Sequence, residues 1–159
     1  DRVGLLEVMG RNCGDIALYA GVAGGAEYVL VPEIPFDLDE IASSIKKSYL
    51  RGKTSNMIIL AEGAGNRDEI ADYIAKKSGI GVKVNNFGYI QRGGSPNMQD
   101  RVLAARFGYK AVELLKENKD SCAIGIRDNK VITVPFDQVA KAEKRFDNEL
   151  YNIAHVLSS

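Results

Sequence analysis

The chain has 159 residues, of which 45% are hydrophobic and 26% charged, enough to bury a sizeable core in one or two small domains. Its 21 Lys and Arg balance 21 Asp and Glu, so no global field favours nucleic acid or an anionic membrane, although a local basic cluster can still hold an anion. The longest apolar runs, MIILA and YVLV, are far short of the ~20 residues that cross a bilayer.

Val3 to Met9, VGLLEVM, reads as a buried strand. NCGDIALYAGVAGGAE follows, and its small residues predict a helix packed closely against a neighbour. Tyr28 to Val31 is a second strand ending at Pro32. Asp37 is placed to cap a helix with Glu40 three positions on, Ile41, Ile45 and Tyr49 recur on one face, and Gly52 stops it. Met57 to Ala61 is a third strand. Asn66 and Glu69 repeat the capping pattern, with Ile70, Tyr73 and Ile74 as the inward stripe.

Val82 to Ile90 is expected as a fourth strand, followed by QRGGSP, in which Ser95 and Pro96 would open the next helix as N-cap and first-turn residue. Val102, Ala105, Tyr109 and Val112 mark that helix, the longest in the chain. CAIGIRDNKVITVPF predicts a hairpin turning at Asp128-Asn129, and the segment from Asp137 reads as one charged amphipathic helix. Alternating strands and helices predict an α/β fold, a three-layer sandwich with a mainly parallel sheet and helices on both faces.

Such sheets bind ligands at the carboxyl ends of their strands. Past the first strand stand Met9, Gly10 and Arg11; past the third, Glu62 with Gly63 and Gly65; past the fourth, Gln91, Arg92 and GGSP. Arginine presents a planar fork to phosphate oxygens, and glycine lets backbone N–H groups approach a ligand. Glu62 can accept from sugar hydroxyls. Each residue alone reads as an ordinary turn, cap or surface charge; together at one edge they point to a phosphorylated small molecule.

Cys13 and Cys122 are too few for a disulfide framework and neither belongs to a CxxC pair, so a reduced, cytoplasmic setting is expected. No signal peptide pattern opens the chain. The sequence starts at Asp1 with a strand-like run directly behind it, and is read as a fragment whose upstream part is missing.

LLEVMGRNCGDIALYAGVAGGAEYVLVPE and FGYIQRGGSP with QDRVLAARFGYKAV resemble the second half of the bacterial-type, ATP-dependent 6-phosphofructokinases. The resemblance runs over essentially the whole chain. It implies transfer of the γ-phosphoryl of ATP, as a magnesium complex, to the 1-hydroxyl of fructose 6-phosphate in glycolysis. It implies that Met9, Gly10 and Arg11 contact the substrate, with Arg11 also steadying charge on the phosphoryl in flight. Glu62 matches the carboxylate on the sugar hydroxyls, Tyr89, Ile90, Gln91 and Arg92 the segment holding the 6-phosphate, and Arg2 and Lys83 further phosphate ligands.

A second cluster, Gly25, Ala26 and Glu27 with Arg51, Lys53, Thr54 and Ser55, matches the family's site for ADP as activator or phosphoenolpyruvate as inhibitor. Glu27 would approach the effector's magnesium. By residue pattern alone, without that resemblance, Arg-Gly-Lys after a helix reads as an ordinary basic C-terminal turn.

Two positions depart from the commoner family pattern: Tyr89 stands where many relatives have histidine, and Lys83 where they have arginine. Tyr89 is uncharged near neutrality and Lys83 lacks the bidentate fork. The glycine-rich ATP loop and the TIDND-type catalytic segment of the family do not occur in these residues, and His155, the only histidine, is expected at the surface. Residues 1–91 with the C-terminal helix are expected as a substrate and effector domain, and about 92–140 as a part packing on the ATP-binding half.

Arg2 and Arg11 bracket the first strand, and Lys83 and Arg92 the fourth, at roughly 30 Å if extended. Residues so far apart cannot share one sugar phosphate, so the site is expected to be shared between subunits of a homo-oligomer, by resemblance a tetramer. A non-catalytic domain binding sugar phosphates or nucleotides, and part of a pyrophosphate-dependent enzyme, are the alternatives. NCGDIALYAG looks more like the ATP-using branch.

Overall fold

The computed structural model describes residues 2–119 and 121–157. Its contacts divide the chain into two units, Asp1–Arg92 with Phe146–Ser159, and Gly93–Arg145.

The first unit is built on four parallel strands, β1 (Arg2–Val8), β2 (Tyr28–Leu30), β3 (Ser55–Ala61) and β4 (Val82–Asn86), in the order β2-β3-β1-β4. The expected α/β sandwich is therefore what forms. Alternation along the strands sends side chains to opposite faces. Val3 and Leu5 of β1 and Ile58 and Leu60 of β3 pack with Ile41 and Ile45 of α2 (Leu38–Leu50) and Ile70 and Ile74 of α3 (Arg67–Ser78). Val8, Ile59 and Ala61 face the other way, against Ala17 and Leu18 of α1 (Asp15–Gly24) and Ala154 of the C-terminal helix. Gly21 lets α1 sit close on β2, because a Cβ there would run into the side chain of Val29.

Asp37 accepts from the N–H groups of Asp39 and Glu40, and Asn66 from those of Asp68 and Glu69, so both predicted caps form. Tyr49 does not join the buried stripe of α2; it lies in the last turn and is 41% exposed.

The fourth strand is shorter than expected. It ends at Asn86, whose Oδ1 accepts the N–H of Gly88, and with φ at 47° on Gly88 the chain turns into a 3-10 helix over Gly88–Gln91. Residues 82 to 92 are not one continuous strand, so Lys83 and Arg92 are closer than the roughly 30 Å of an extended run. An alternating apolar pattern cannot by itself show where a ladder stops.

In the second unit α4 (Met98–Lys116) begins two residues later than expected. Asn97, not Ser95, is its N-cap, in a reciprocal capping box with Asp100. The box supplies two bonds where Ser95 could offer one. Val102, Ala105, Tyr109 and Val112 lie in α4 and are all exposed, and Leu114 is the buried residue of this helix. β5 (Cys122–Arg127) and β6 (Lys130–Pro135) form the predicted hairpin. Asp128 and Asn129 both take the positive φ that a two-residue turn of this kind needs.

The final segment is two helices rather than one, α5 (Phe136–Lys141) and α6 (Asn148–Leu157). Asp147 starts the second by accepting the N–H of Leu150. The break lets α5 stay in the second unit while α6 belongs to the first, where it lies on α1.

Candidate functional site: the carboxyl ends of the strands

β1 and β3 are neighbours, yet β1 leads to α1 on one face and β3 to α3 on the other. The diverging connections open a crevice at their carboxyl ends, the place where open parallel sheets bind ligands. A cavity of about 170 Å³ lies there, lined by Glu7, Met9, Glu62, Tyr89, Gln91 and Arg92 among others. Met9, Glu62, Tyr89, Gln91 and Arg92 are thus brought together from three strand ends.

Gly10 adjoins them, its N–H donating to Glu62 Oε1 at 3.5 Å. Arg11 follows on the exposed loop and does not line the cavity. Its backbone is held against Gly63, where a Cβ would run into the carbonyl oxygen of Arg11, and the N–H of Gly63 donates to Gly10 O at 3.1 Å. Glycine at 63 is what lets the two loops touch. Ile90 is 74% exposed and outside the cavity. The Arg92 guanidinium lies over the Tyr89 ring, 5.0 Å from its centroid, a cation–π contact between two residues of the predicted phosphate segment.

Gln91 uses both ends of its amide on backbone. Its Oε1 accepts from Met9 N at 2.9 Å and its Nε2 donates to Gly88 O at 3.0 Å. The sequence reading missed Glu7 altogether. Its carboxylate accepts from Arg67 Nη1 at 2.9 Å and from Asn86 Nδ2. The hydrogen bond to Glu7, then its charge, raises the pKa of Arg67. Glu7 sits inside an apolar strand and its partners come from α3 and β4, so sequence spacing carries no sign of the cluster.

Arg2 and Lys83 lie at the amino ends of β1 and β4, the sheet edge opposite to Arg11, Glu62 and Arg92. The second predicted cluster shares that edge. Glu27 precedes β2, and Lys53 and Thr54 precede β3. Lys53 Nζ is 2.8 Å from Glu27 Oε1, and Met57 N donates to Glu27 Oε2. Arg2 N donates to Thr54 O at 3.1 Å, and Ser55 pairs with Arg2 in the ladder. Gly25 is the left-handed C-cap of α1, Ala26 is buried, and Arg51 is the exposed C-cap of α2.

Among the described residues no group of three His, Cys, Asp or Glu is placed to hold a metal ion. Glu27, a single carboxylate already carrying an ammonium partner, falls short of a divalent-cation site by itself. No helix of the described residues is long and apolar enough to cross a membrane.

A parallel α/β scaffold with a crevice at its strand ends, edged by an arginine, a carboxylate and glycine turns, belongs to the open α/β sheets that bind ligands at that edge. The phosphofructokinase family matches over residues 1–115, and the chain belongs to that family. It is 50% identical over 157 residues to the ATP-dependent 6-phosphofructokinase of Clostridium tetani, covering 99% of this chain and 49% of that protein. Against the corresponding protein of Clostridium botulinum strain Hall the identity is 49%, over 99% of this chain and 50% of the relative. The chain therefore spans about half the length of these curated relatives.

Among solved structures, phosphofructokinase from Saccharomyces cerevisiae superimposes with a TM-score of 0.81 at 33% identity, covering 99% of this chain and 23% of that one. A pyrophosphate-dependent phosphofructokinase from Marinobacter aquaeolei gives 0.77 at 26%, covering 92% and 42%.

Proposed function

We propose that this chain is the sugar-phosphate-binding and effector-binding part of an ATP-dependent 6-phosphofructokinase, which phosphorylates the 1-hydroxyl of fructose 6-phosphate. The observation that carries the reading is the convergence of Met9, Glu62, Tyr89, Gln91 and Arg92 on one cavity at the ends of β1, β3 and β4. Arg92, fixed over Tyr89, meets the 6-phosphate, and Glu62 accepts from the sugar hydroxyls. Arg11, on an exposed loop braced by Gly63, meets the charge that spreads over the phosphoryl oxygens in the transition state.

Of the cavity's two carboxylates, Glu62 is given to the sugar hydroxyls and Glu7 is held by Arg67 and Asn86, so by resemblance to the family ATP, its magnesium and the general base are assigned to a nucleotide-binding half. The exposed stripe Val102, Tyr109 and Val112 on α4 is the face that packs on that half. ATP is favoured over pyrophosphate because the relatives at 49–50% identity are ATP-dependent. At the opposite edge, Lys53 and Arg51 take effector phosphates, ADP or phosphoenolpyruvate. Lys53 must first leave Glu27 or share it. Arg2 and Lys83 reach into the crevice of a neighbouring subunit in a tetramer.

Fructose 6-phosphate added to the protein should slow hydrogen exchange in residues 86–92 and in the loop from Met9 to Arg11, whereas fructose should not. Equal exchange with and without the sugar phosphate would overturn the reading. In a coupled assay with ATP, magnesium and fructose 6-phosphate, the 159 residues alone should show no turnover above background.

A further inference from the structure

Glu7 stands near the end of the central strand with its side chain 15% exposed, and both of its donors fall on one carboxylate oxygen. Arg67 reaches it from the first turn of α3, and Asn86 from the last residue of β4. Asn86 is also its ladder partner, and the N–H of Phe87 donates to Glu7 O at 3.2 Å. With its Nδ2 donating to Glu7, the Asn86 amide is oriented so that its carbonyl oxygen faces the following residues. That oxygen accepts the N–H of Gly88 at 2.6 Å, at the first residue of the turn carrying Tyr89 to Arg92.

We propose that Glu7 is a positioning residue for the anion-binding turn: it orients the Asn86 amide so that β4 stops and Gly88–Arg92 folds over the cavity. Arg67 balances the charge that Glu7 would otherwise leave half-buried. The network covers one side of the turn, while Gln91, bonded to Met9 N and Gly88 O, holds the other. Without Glu7, Asn86 is free to rotate and the turn loses its reason to begin at Gly88.

The ligand side of this inference rests on the sugar-phosphate reading above, but the turn can be tested without a ligand. Hydrogen exchange of a peptide covering residues 86–92 is measured in the unliganded protein, and KM and kcat for fructose 6-phosphate in the assembled enzyme. Glu7→Ala should speed exchange and raise KM roughly tenfold, as for loss of a hydrogen bond to a charged group, with kcat within about twofold. Glu7→Gln, which can still accept from Asn86, should recover most of both effects. Asn86→Asp keeps an acceptor for Gly88 but loses the donor to Glu7 and sets two carboxylates face to face, so it should behave like Glu7→Ala.

Wild-type exchange in Asn86→Asp would overturn the proposal, since the Gly88 turn would then need no help from Glu7. Where fructose 6-phosphate does protect the wild-type turn, faster exchange with an unchanged KM would overturn it equally. If the wild-type turn gains no protection from fructose 6-phosphate while Glu7→Ala and Asn86→Asp both speed exchange, the sugar-phosphate reading fails and the positioning role stands.

Discussion

The backbone N–H of Met9 donates to the side-chain oxygen of Gln91 at 2.9 Å, joining the end of β1 to the turn that carries Arg92. These residues are far apart in the chain, and the bond makes the first and fourth strand ends one surface. Replacing Gln91 by Leu removes it and also the bond from Nε2 to Gly88 O. The expected result is a KM for fructose 6-phosphate raised roughly tenfold, with Gln91→Glu, which keeps the acceptor for Met9, in between. Steady-state kinetics on both variants decide it, and an unaltered KM in Gln91→Leu rejects the bracing role.

On the proposed function, Arg11 and Glu62 are expected to serve different steps. Arg11 lies on the exposed loop beside the cavity, whereas Glu62 lines it. Arg11→Ala should lower kcat by roughly a hundredfold, the scale for losing a donor to transition-state charge. Glu62→Ala should chiefly raise KM for the sugar. An intact kcat in Arg11→Ala would remove it from the chemistry.

At the opposite edge the Glu27–Lys53 ion pair faces any phosphate-bearing effector as a competitor for the same ammonium. Lys53→Ala and Glu27→Ala should both shift or flatten the dependence of rate on ADP and phosphoenolpyruvate. Effector curves that superimpose on the wild type in both variants would reduce the cluster to a surface ion pair, of little energetic weight.

Arg2 and Arg92 belong to opposite ends of the sheet, so one small sugar phosphate cannot bridge them within a subunit. An Arg2→Ala parent and an Arg92→Ala parent, each impaired, should therefore regain part of the activity when their subunits are mixed. Fully assembled hybrids without recovered turnover would show that Arg2 serves no neighbour's site.

Helix α4 offers a test of local structure. Its capping box runs between Asn97 and Asp100, so Asn97→Ala should cost about 1 kcal/mol in denaturant unfolding. Ser95→Ala should cost close to nothing. The reverse order would return the cap to Ser95.

Much of the α/β order was legible because its determinants are local. Asp37 and Asn66 announce helices by bonding to N–H groups two and three residues on. Asp128-Asn129 announces a hairpin because both residues tolerate positive φ. The strand-end set was legible for another reason: a parallel sheet returns every strand in the same direction, so residues just past each one share an edge. Met9, Glu62 and Gln91 could be grouped before any contact was known.

What the tertiary structure decided were the terminations and the partners. β4 stops at Asn86 because a carboxylate from β1, ion-paired with the helix α3 that packs on β4 and β1, orients that asparagine. Glu7, inside an apolar run, gives no local sign of either partner. Likewise the last segment breaks between Lys141 and Asn148 because its two halves serve different units, although its charge pattern reads as one helix. Periodicity records which face of a segment is apolar; where a segment ends, and which side chains meet across it, depends on neighbours that sequence spacing does not encode.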